Sequence, residues 1–308
     1  MTRVALIGLG EVGRTFVEEL RAAGIRDLSA WDTAFVDPAS PASRNAAELG
    51  IAAAGSAPAA VRGADLVVSA VTAAQCVAAA ESVTAGIAPR AWFFDLNSSS
   101  PGHKQAAAAA VDAAGGRYVE AALMSPIGPK RLGSPFLLGG PHAAEFAATA
   151  GAYGITSVEV VSDEVGRAAA TKLCRSVIVK GLESLLAESL LTARTFGVER
   201  DVLDSLPNIL PPADWEAVAG YFVSRSLQHG KRRSEEMEEA AATVAEAGVE
   251  PHMSLAAVQR QRWAAQFPEA VGAGSTLGMV DAVLAAMRRQ PDSDLTDLTD
   301  VPDQESTA

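Results

Sequence analysis

RVALIGLGEVG, residues 3–13, is the stretch on which the fold turns. Its first half is a short, fully apolar run, the composition of a strand buried on both faces of a parallel sheet. Its second half is Gly8-Leu9-Gly10-Glu11-Val12-Gly13, a G-x-G-x-x-G placed directly after that strand. A helical pattern opens at the same point, with Val12, Phe16 and Leu20 at helical spacing and a stop at Gly24. In this context the three glycines have separate tasks. Gly8 permits the tight turn, Gly10 lets the backbone approach a pyrophosphate, and Gly13 lets helix and strand pack closely. The unpaired N–H groups and positive dipole end of the helix N-terminus then favour phosphate. S-adenosylmethionine enzymes use related glycine loops, so the motif alone does not specify nicotinamide.

Working outward, strand and helix patterns alternate. DLSAWD, ADLVVSAV, AWFFDLN and RYVEAALM read as strands with alanine-rich helical segments between them. Such alternation predicts a parallel sheet covered on both faces. Gly140-Pro141-His142 and GAYGITSVEVV predict a final strand pair closing this domain near residue 163. Beyond it the pattern is helical: one very long helix ending at Gly197, then ERDVLDSL, then DWEAVAGYFVSRSLQ running into KRRSEEMEEAAATVAEAG, then MSLAAVQRQRWAAQ. The expected organisation is α/β, an N-terminal Rossmann domain with a parallel sheet over 1–163 and an all-helical domain over 164–290, with a cleft between them. Residues 291–308 read as a disordered acidic tail, because the segment has too little apolar surface to fold.

Composition narrows the function. The 308 residues are 49% hydrophobic and 20% charged, with a net charge of −12. Six tail carboxylates, Asp292, Asp294, Asp297, Asp300, Asp303 and Glu305, account for half of that charge. An acidic chain of this kind is not expected to bind nucleic acid. No stretch reaches the roughly 18 unbroken apolar residues of a membrane span, and the apolar run after Arg3 is too short for a secretory signal. Cys76 and Cys174 lack metal-ligand spacing, so two reduced thiols, no metal and a cytoplasmic location are expected.

Asp32 ends the second strand about 20 residues past the glycines, where an acid bonds the adenosine ribose hydroxyls and repels a 2′-phosphate. No arginine follows it before Arg44, which favours NAD over NADP, although a plain turn residue fits the same position.

Four segments together resemble the β-hydroxyacid dehydrogenase superfamily, which includes 3-hydroxyisobutyrate and 6-phosphogluconate dehydrogenases. They are GLGEVG, then DLNSSSP at 95–101, EAALMSPIG at 120–128 and GRAAATKLCRS at 166–176. KLCRS and HGKRRSEEM mark a divergent branch. The resemblance implies a homodimer built through the helical domain and hydride transfer between NAD or NADP and the hydroxyl-bearing carbon of a small anionic hydroxy acid. Lys172 falls on the catalytic lysine, the general acid/base for the hydroxyl proton, and the apolar neighbours Ala168, Ala169, Ala170 and Leu173 suit a lowered pKa. Val71, Thr72, Asn97 and Ser98 fall on the cofactor-lining strand ends. The serine run 98–100 also suits a helix cap.

Departures from the family pattern concern the substrate. Ser176 stands where the family has a substrate-binding asparagine, with Arg175 beside it as a possible bidentate anion ligand. Ser125 is kept, but Pro126 and Ile127 replace two glycines whose N–H groups hold a carboxylate, and proline has no N–H. His229, Arg232, Arg233 and Glu236 share one helical face, which suits either a solvated surface or, for His229 and Arg232, a substrate anion. Imine or ketone reduction on the same fold, oxidative decarboxylation of a β-hydroxy acid, and a noncatalytic cofactor sensor are the rival readings.

Overall fold

A computed structural model describes residues 2–51, 53–208 and 214–289. In chain order the strands and α-helices are β1 (Arg3–Ile7), α1 (Glu11–Ala22), β2 (Asp27–Trp31), α2 (Pro41–Leu49), α3 (Ala57–Val61), β3 (Leu66–Ser69), α4 (Cys76–Val83), β4 (Trp92–Asp95), α5 (Pro101–Ala113) and β5 (Arg117–Leu123). Then follow α6 (Ile127–Lys130), β6 (Phe136–Gly139), α7 (Ala143–Thr149), β7 (Val158–Val160), α8 (Arg167–Phe196), α9 (Glu199–Ser205), α10 (Trp215–Glu246), α11 (His252–Ala264) and α12 (Thr276–Met287). The acidic tail expected over 291–308 lies outside the described residues.

One seven-stranded sheet runs in the order β2-β1-β3-β4-β5-β6-β7. Every pairing is parallel except β5 with β6, so the expected parallel sheet carries one antiparallel step near its closing edge. Two-residue periodicity deals the strand side chains to two cores. Val4, Leu6, Leu66, Val68, Trp92, Phe94, Val119 and Ala121 enter one. Ala5, Ile7, Val67, Phe93 and Tyr118 enter the other. Burial on both faces is the reason these strands are apolar without alternation. On the first face an aromatic cluster gathers, with Phe94 and Phe146 stacked at 4.7 Å and Trp92 edge-on to Phe146 at 5.4 Å.

Two compact units are distinguished. The first comprises Met1–Gly181 with Ser234–Val258, and the second Leu182–Arg233 with the residues from Gln259. The long helices α8 and α10 thus each contribute to both. Within the first, Leu173 of α8 packs with Met237 and Ala240 of α10 and with Ala257 and Val258 of α11. Within the second, Leu190, Ala219, Val223, Leu227, Phe267, Met279 and Val280 form an apolar core. That second core also holds a buried ion pair, Arg233 with Glu183 at 2.5 Å, and Gln261 donates to the same carboxylate at 3.2 Å. Among the described residues no helix is long and apolar enough to cross a membrane.

Candidate active site

The strands β1, β3 and β4 end together, and their loops interlock. Gly8 adopts φ +93°, and a Cβ there would stand 2.3 Å from the Ala70 carbonyl oxygen. At Gly13 a Cβ would meet the Gly8 carbonyl oxygen at 2.2 Å. Both glycines are therefore demanded by backbone packing. Gly10 differs, because an added Cβ meets nothing of the chain within 4 Å. The space beside it is open, and α1 begins there with no side-chain cap on its first N–H groups. That is the arrangement a pyrophosphate requires, so the residues present fit a dinucleotide. Glu11 is exposed and Val12 half-buried at the same turn, while Leu9 turns its side chain into the core and offers only backbone.

Asp32 sits just past β2, and both its oxygens are engaged. One accepts the Leu9 N–H at 2.8 Å, tying β2 to the glycine loop, and the other accepts the Ala34 N–H at 2.8 Å. Turn residue and loop ligand are thus one and the same side chain. Arg44 donates to the Ala39 carbonyl.

Asn97, almost fully buried, fastens the neighbouring loops. Its Oδ1 accepts the Val71 N–H at 2.7 Å, and its Nδ2 donates to Ser69 Oγ at 2.9 Å. Thr72 follows Val71 and is exposed. Of the three serines that follow Asn97, Ser99 and Ser100 are buried and Ser98 half-exposed. Ser99 Oγ donates to the Ala73 carbonyl at 2.7 Å. Ser100 caps α5, and two carboxylates of α10 reinforce the cap. Glu239 accepts the Ser100 N–H at 2.7 Å, and Glu246 accepts the Ser100 hydroxyl at 2.8 Å and the Gly102 N–H at 3.0 Å. Negative charge at a helix N-terminus is favoured by the helix dipole. His103 of α5 pairs with Glu239 at 3.0 Å.

Ser98 meets Lys172. The Lys172 ammonium donates to Ser98 Oγ at 2.5 Å, bringing together two residues 74 positions apart. Lys172 lies in the second turn of α8, whose start is held by Glu120 of β5. The two oxygens of Glu120 accept the Gly166 N–H at 2.7 Å and the Ala169 N–H at 2.6 Å. Burial raises the Glu120 carboxyl above its ordinary range, against the opposing pull of Lys104 and these two N–H groups.

Beneath the serine loop lies a polar cluster that motif reading did not single out. Asp95, with no exposed surface, pairs with the equally buried Lys104 at 3.0 Å. The same carboxylate accepts the Tyr118 hydroxyl at 2.5 Å, the Cys76 thiol at 3.3 Å and the Asn97 N–H at 2.9 Å. Burial alone would lower the Lys104 ammonium, but Asp95 and the neighbouring acidic groups outweigh it and hold it above its usual value. Burial, reinforced by Asp95, pushes Tyr118 well above the usual phenol range and Cys76 to about 12. Lys104 was legible only as the lone lysine of an alanine-rich helix, next to the strand that ends in Asp95.

The remaining candidates are dispersed. Arg175 donates to the Met124 carbonyl at 2.9 Å, which sets it against the loop of Ser125 and Pro126. Ser125 is half-buried and Pro126 exposed, whereas the Ile127 side chain is 3% exposed and belongs to the sheet core. Ser176 is buried and accepts from Lys180 Nζ at 2.9 Å. His229, half-buried, and Arg232, exposed, belong to the second unit. A cavity of about 510 Å³ lined by Asp65, Arg90, Trp92, Arg117 and Tyr153 opens at the amino ends of β3–β5, the edge opposite the glycine loop. Among the described residues no cluster of three or more His, Cys, Asp or Glu is placed to hold a metal.

Fold and glycine loop define the chain as a nucleotide-binding α/β protein, and its family match makes it one of the NAD(P)-dependent oxidoreductase class. Residues 3–150 match the NAD binding domain of 6-phosphogluconate dehydrogenase, and residues 193–264 match a domain of unknown function, DUF1932. A conserved hypothetical protein from Sinorhizobium meliloti 1021 is 35% identical, with 92% of this chain and 96% of that one covered and a TM-score of 0.71. The chain belongs to the β-hydroxyacid dehydrogenase superfamily. The 3-hydroxyisobutyrate dehydrogenase of Mycobacterium tuberculosis, solved with L-serine, shares the fold at 19% identity, 92% and 99% coverage and a TM-score of 0.71. A reductive aminase from Aspergillus terreus, solved with NADPH and ethyl levulinate, does so at 20% identity, 92% and 99% coverage and a TM-score of 0.53. No curated protein sequence matches the chain.

Proposed function

We propose that this protein oxidises a small hydroxy acid, or reduces the corresponding oxo acid, with Lys172 as general acid/base. The observation that carries the proposal is the Lys172–Ser98 contact at 2.5 Å, on a loop fastened through Asn97 to the β3 end that packs against Gly8. When bound, NAD(P) supplies the hydride acceptor or donor. Gly8, Gly10, Gly13 and the first N–H groups of α1 would hold its pyrophosphate, and Asp32 would face the adenosine ribose. A carboxylate there disfavours a 2′-phosphate, which supports NAD over NADP. Val71, Thr72, Asn97 and Ser98 at the strand ends would line its nicotinamide portion.

In the oxidative direction the neutral Lys172 amine takes the hydroxyl proton as the carbon loses hydride and becomes a carbonyl. In reduction the ammonium returns that proton to the forming alkoxide. Ser98 orients Nζ and shares its hydrogen bond with the reacting oxygen. Glu120 fixes the helix start that sets the height of Lys172 above the loop. Arg175 and Ser125 supply charge and a hydroxyl for the substrate anion. Pro126 removes an N–H from that cradle, so side chains take over part of the work. Along α8, Ile178, Leu182 and Leu185 are exposed at i, i+4 and i+7, an apolar stripe that suits homodimerisation.

The test pairs titration calorimetry against NADH and NADPH with a spectrophotometric screen of hydroxy acids. Lys172→Ala is expected to keep cofactor affinity and lose about 10²–10⁴ in kcat, the range of a general acid/base. Unchanged turnover would remove Lys172 from the chemistry. Absence of binding to either cofactor would end the dehydrogenase reading. Turnover of a ketone with an amine, but of no hydroxy acid, would favour reductive amination instead.

A further inference from the structure

Two turns along α8 from Lys172 stands a second lysine. Lys180 Nζ donates to Ser176 Oγ at 2.9 Å and pairs with Glu236 Oε2 of α10 at 2.8 Å. The side chains are shielded, Lys180 at 11% and Glu236 at 16% exposure, with Ser176 itself at 6%. Lys172, Ser176 and Lys180 are spaced four residues apart and share one helix face. Each step advances about 6 Å, the reach of roughly five bonds of an extended chain. A substrate held with its reacting carbon at Lys172 and extending along this face therefore meets Ser176 and the lysine–glutamate pair with its far end.

The two formal charges of that pair cancel. A second anion arriving there has to compete with Glu236 for Lys180 and lie against the Glu236 carboxylate. A cation meets Lys180. In a shielded site neither repulsion is screened as it would be in water. A hydroxyl suits all three partners, because it accepts from Ser176 or Lys180 and donates to Glu236. We propose that Ser176, Lys180 and Glu236 determine specificity by admitting a hydroxy acid whose far end is a neutral hydrogen-bonding group and rejecting one whose far end is charged. This rests on the hydroxy-acid reading above.

Two probes that differ only at the far end test it: 3,6-dihydroxyhexanoate, ending in CH₂OH, and 3-hydroxyhexanedioate, ending in a carboxylate. Wild-type kcat/KM is expected to favour the former at least tenfold, mainly through KM. Glu236→Gln removes the negative charge beside Lys180 and should shift the ratio at least tenfold toward the dianion. The exchange Lys180→Glu with Glu236→Lys restores neutrality and should return the ratio toward the wild-type value. Should Glu236→Gln fail to fold, Lys180→Met supplies the opposite arm and should deepen discrimination against the dianion. A ratio unmoved by these changes overturns the proposal. So does a wild-type enzyme that oxidises shorter hydroxy acids but neither probe. If no hydroxy acid is oxidised at all, the dehydrogenase reading itself fails and this inference with it.

Discussion

Replacing Gly10 by alanine separates folding from cofactor binding, because the three glycines of the loop are constrained by different things. At Gly10 the backbone is extended at φ −76°, which alanine adopts freely, and the new methyl group meets no atom of the chain within 4 Å. Alanine is a clearly poorer N-cap than glycine, by about 1 kcal/mol, but restricts the unfolded chain by about 0.4–1 kcal/mol, so the two largely offset and stability should change by no more than about 0.5 kcal/mol. The control is Gly13→Ala, whose Cβ would overlap the Gly8 carbonyl oxygen at 2.2 Å. Overpacking against backbone costs about 1–3 kcal/mol, and the gain in helix propensity returns only about 1 kcal/mol. At about 2–4 °C per kcal/mol, Gly13→Ala should lower Tm by a few degrees while Gly10→Ala leaves it in place. Affinity should behave differently. The Gly10→Ala methyl occupies space a pyrophosphate would use, and at least a tenfold loss of NADH affinity is expected, about 1.4 kcal/mol. Differential scanning fluorimetry and calorimetry on the same samples supply both numbers. A Gly10→Ala protein with unchanged Tm and unchanged cofactor affinity would refute the placement of the dinucleotide on this loop.

The buried cluster gives three further predictions. Lys104→Met leaves Asp95 charged in a site without exposure and should cost about 3–5 kcal/mol, whereas adding Asp95→Asn should recover part of that in chemical denaturation. Lys104, Tyr118 and Cys76 all hold their protons more tightly folded than unfolded. Stability should therefore fall as pH rises above 9.0, the ordinary thiol value, and Cys76→Ala should reduce that slope by up to about 1.4 kcal/mol per pH unit. With a thiol reagent at pH 8, exposed Cys174 should react in the native protein and Cys76 only after unfolding, because burial keeps its thiol protonated; rapid labelling of both thiols would contradict the buried environment assigned to Cys76.

Local chemistry sufficed for much of this architecture. A strand buried on both faces must be apolar throughout, and a tight turn that packs against its own strand must carry glycine, so residues 3–13 announce β1, the loop and α1 without help from the rest of the chain. The long helix α8 is equally plain, since no breaker except Gly181 interrupts it. The loop was legible where backbone packing dictates the residue, as at Gly8 and Gly13, whose added Cβ atoms would strike carbonyl oxygens. The site was illegible where a side chain's partner is remote. Asp32 reads as a ribose ligand, but that its two oxygens also hold the Leu9 and Ala34 N–H groups depends on how the glycine loop lies against β2. Ile127 reads as part of a substrate loop, yet its side chain fills the core. Nothing near Ser100 suggests that carboxylates 139 and 146 positions later would cap its helix, or that Lys104 would face Asp95 in a dry interior. Such pairings are set by which helix lies against which sheet edge. Periodicity records only that a face is covered, and the identity of what covers it is decided by tertiary packing.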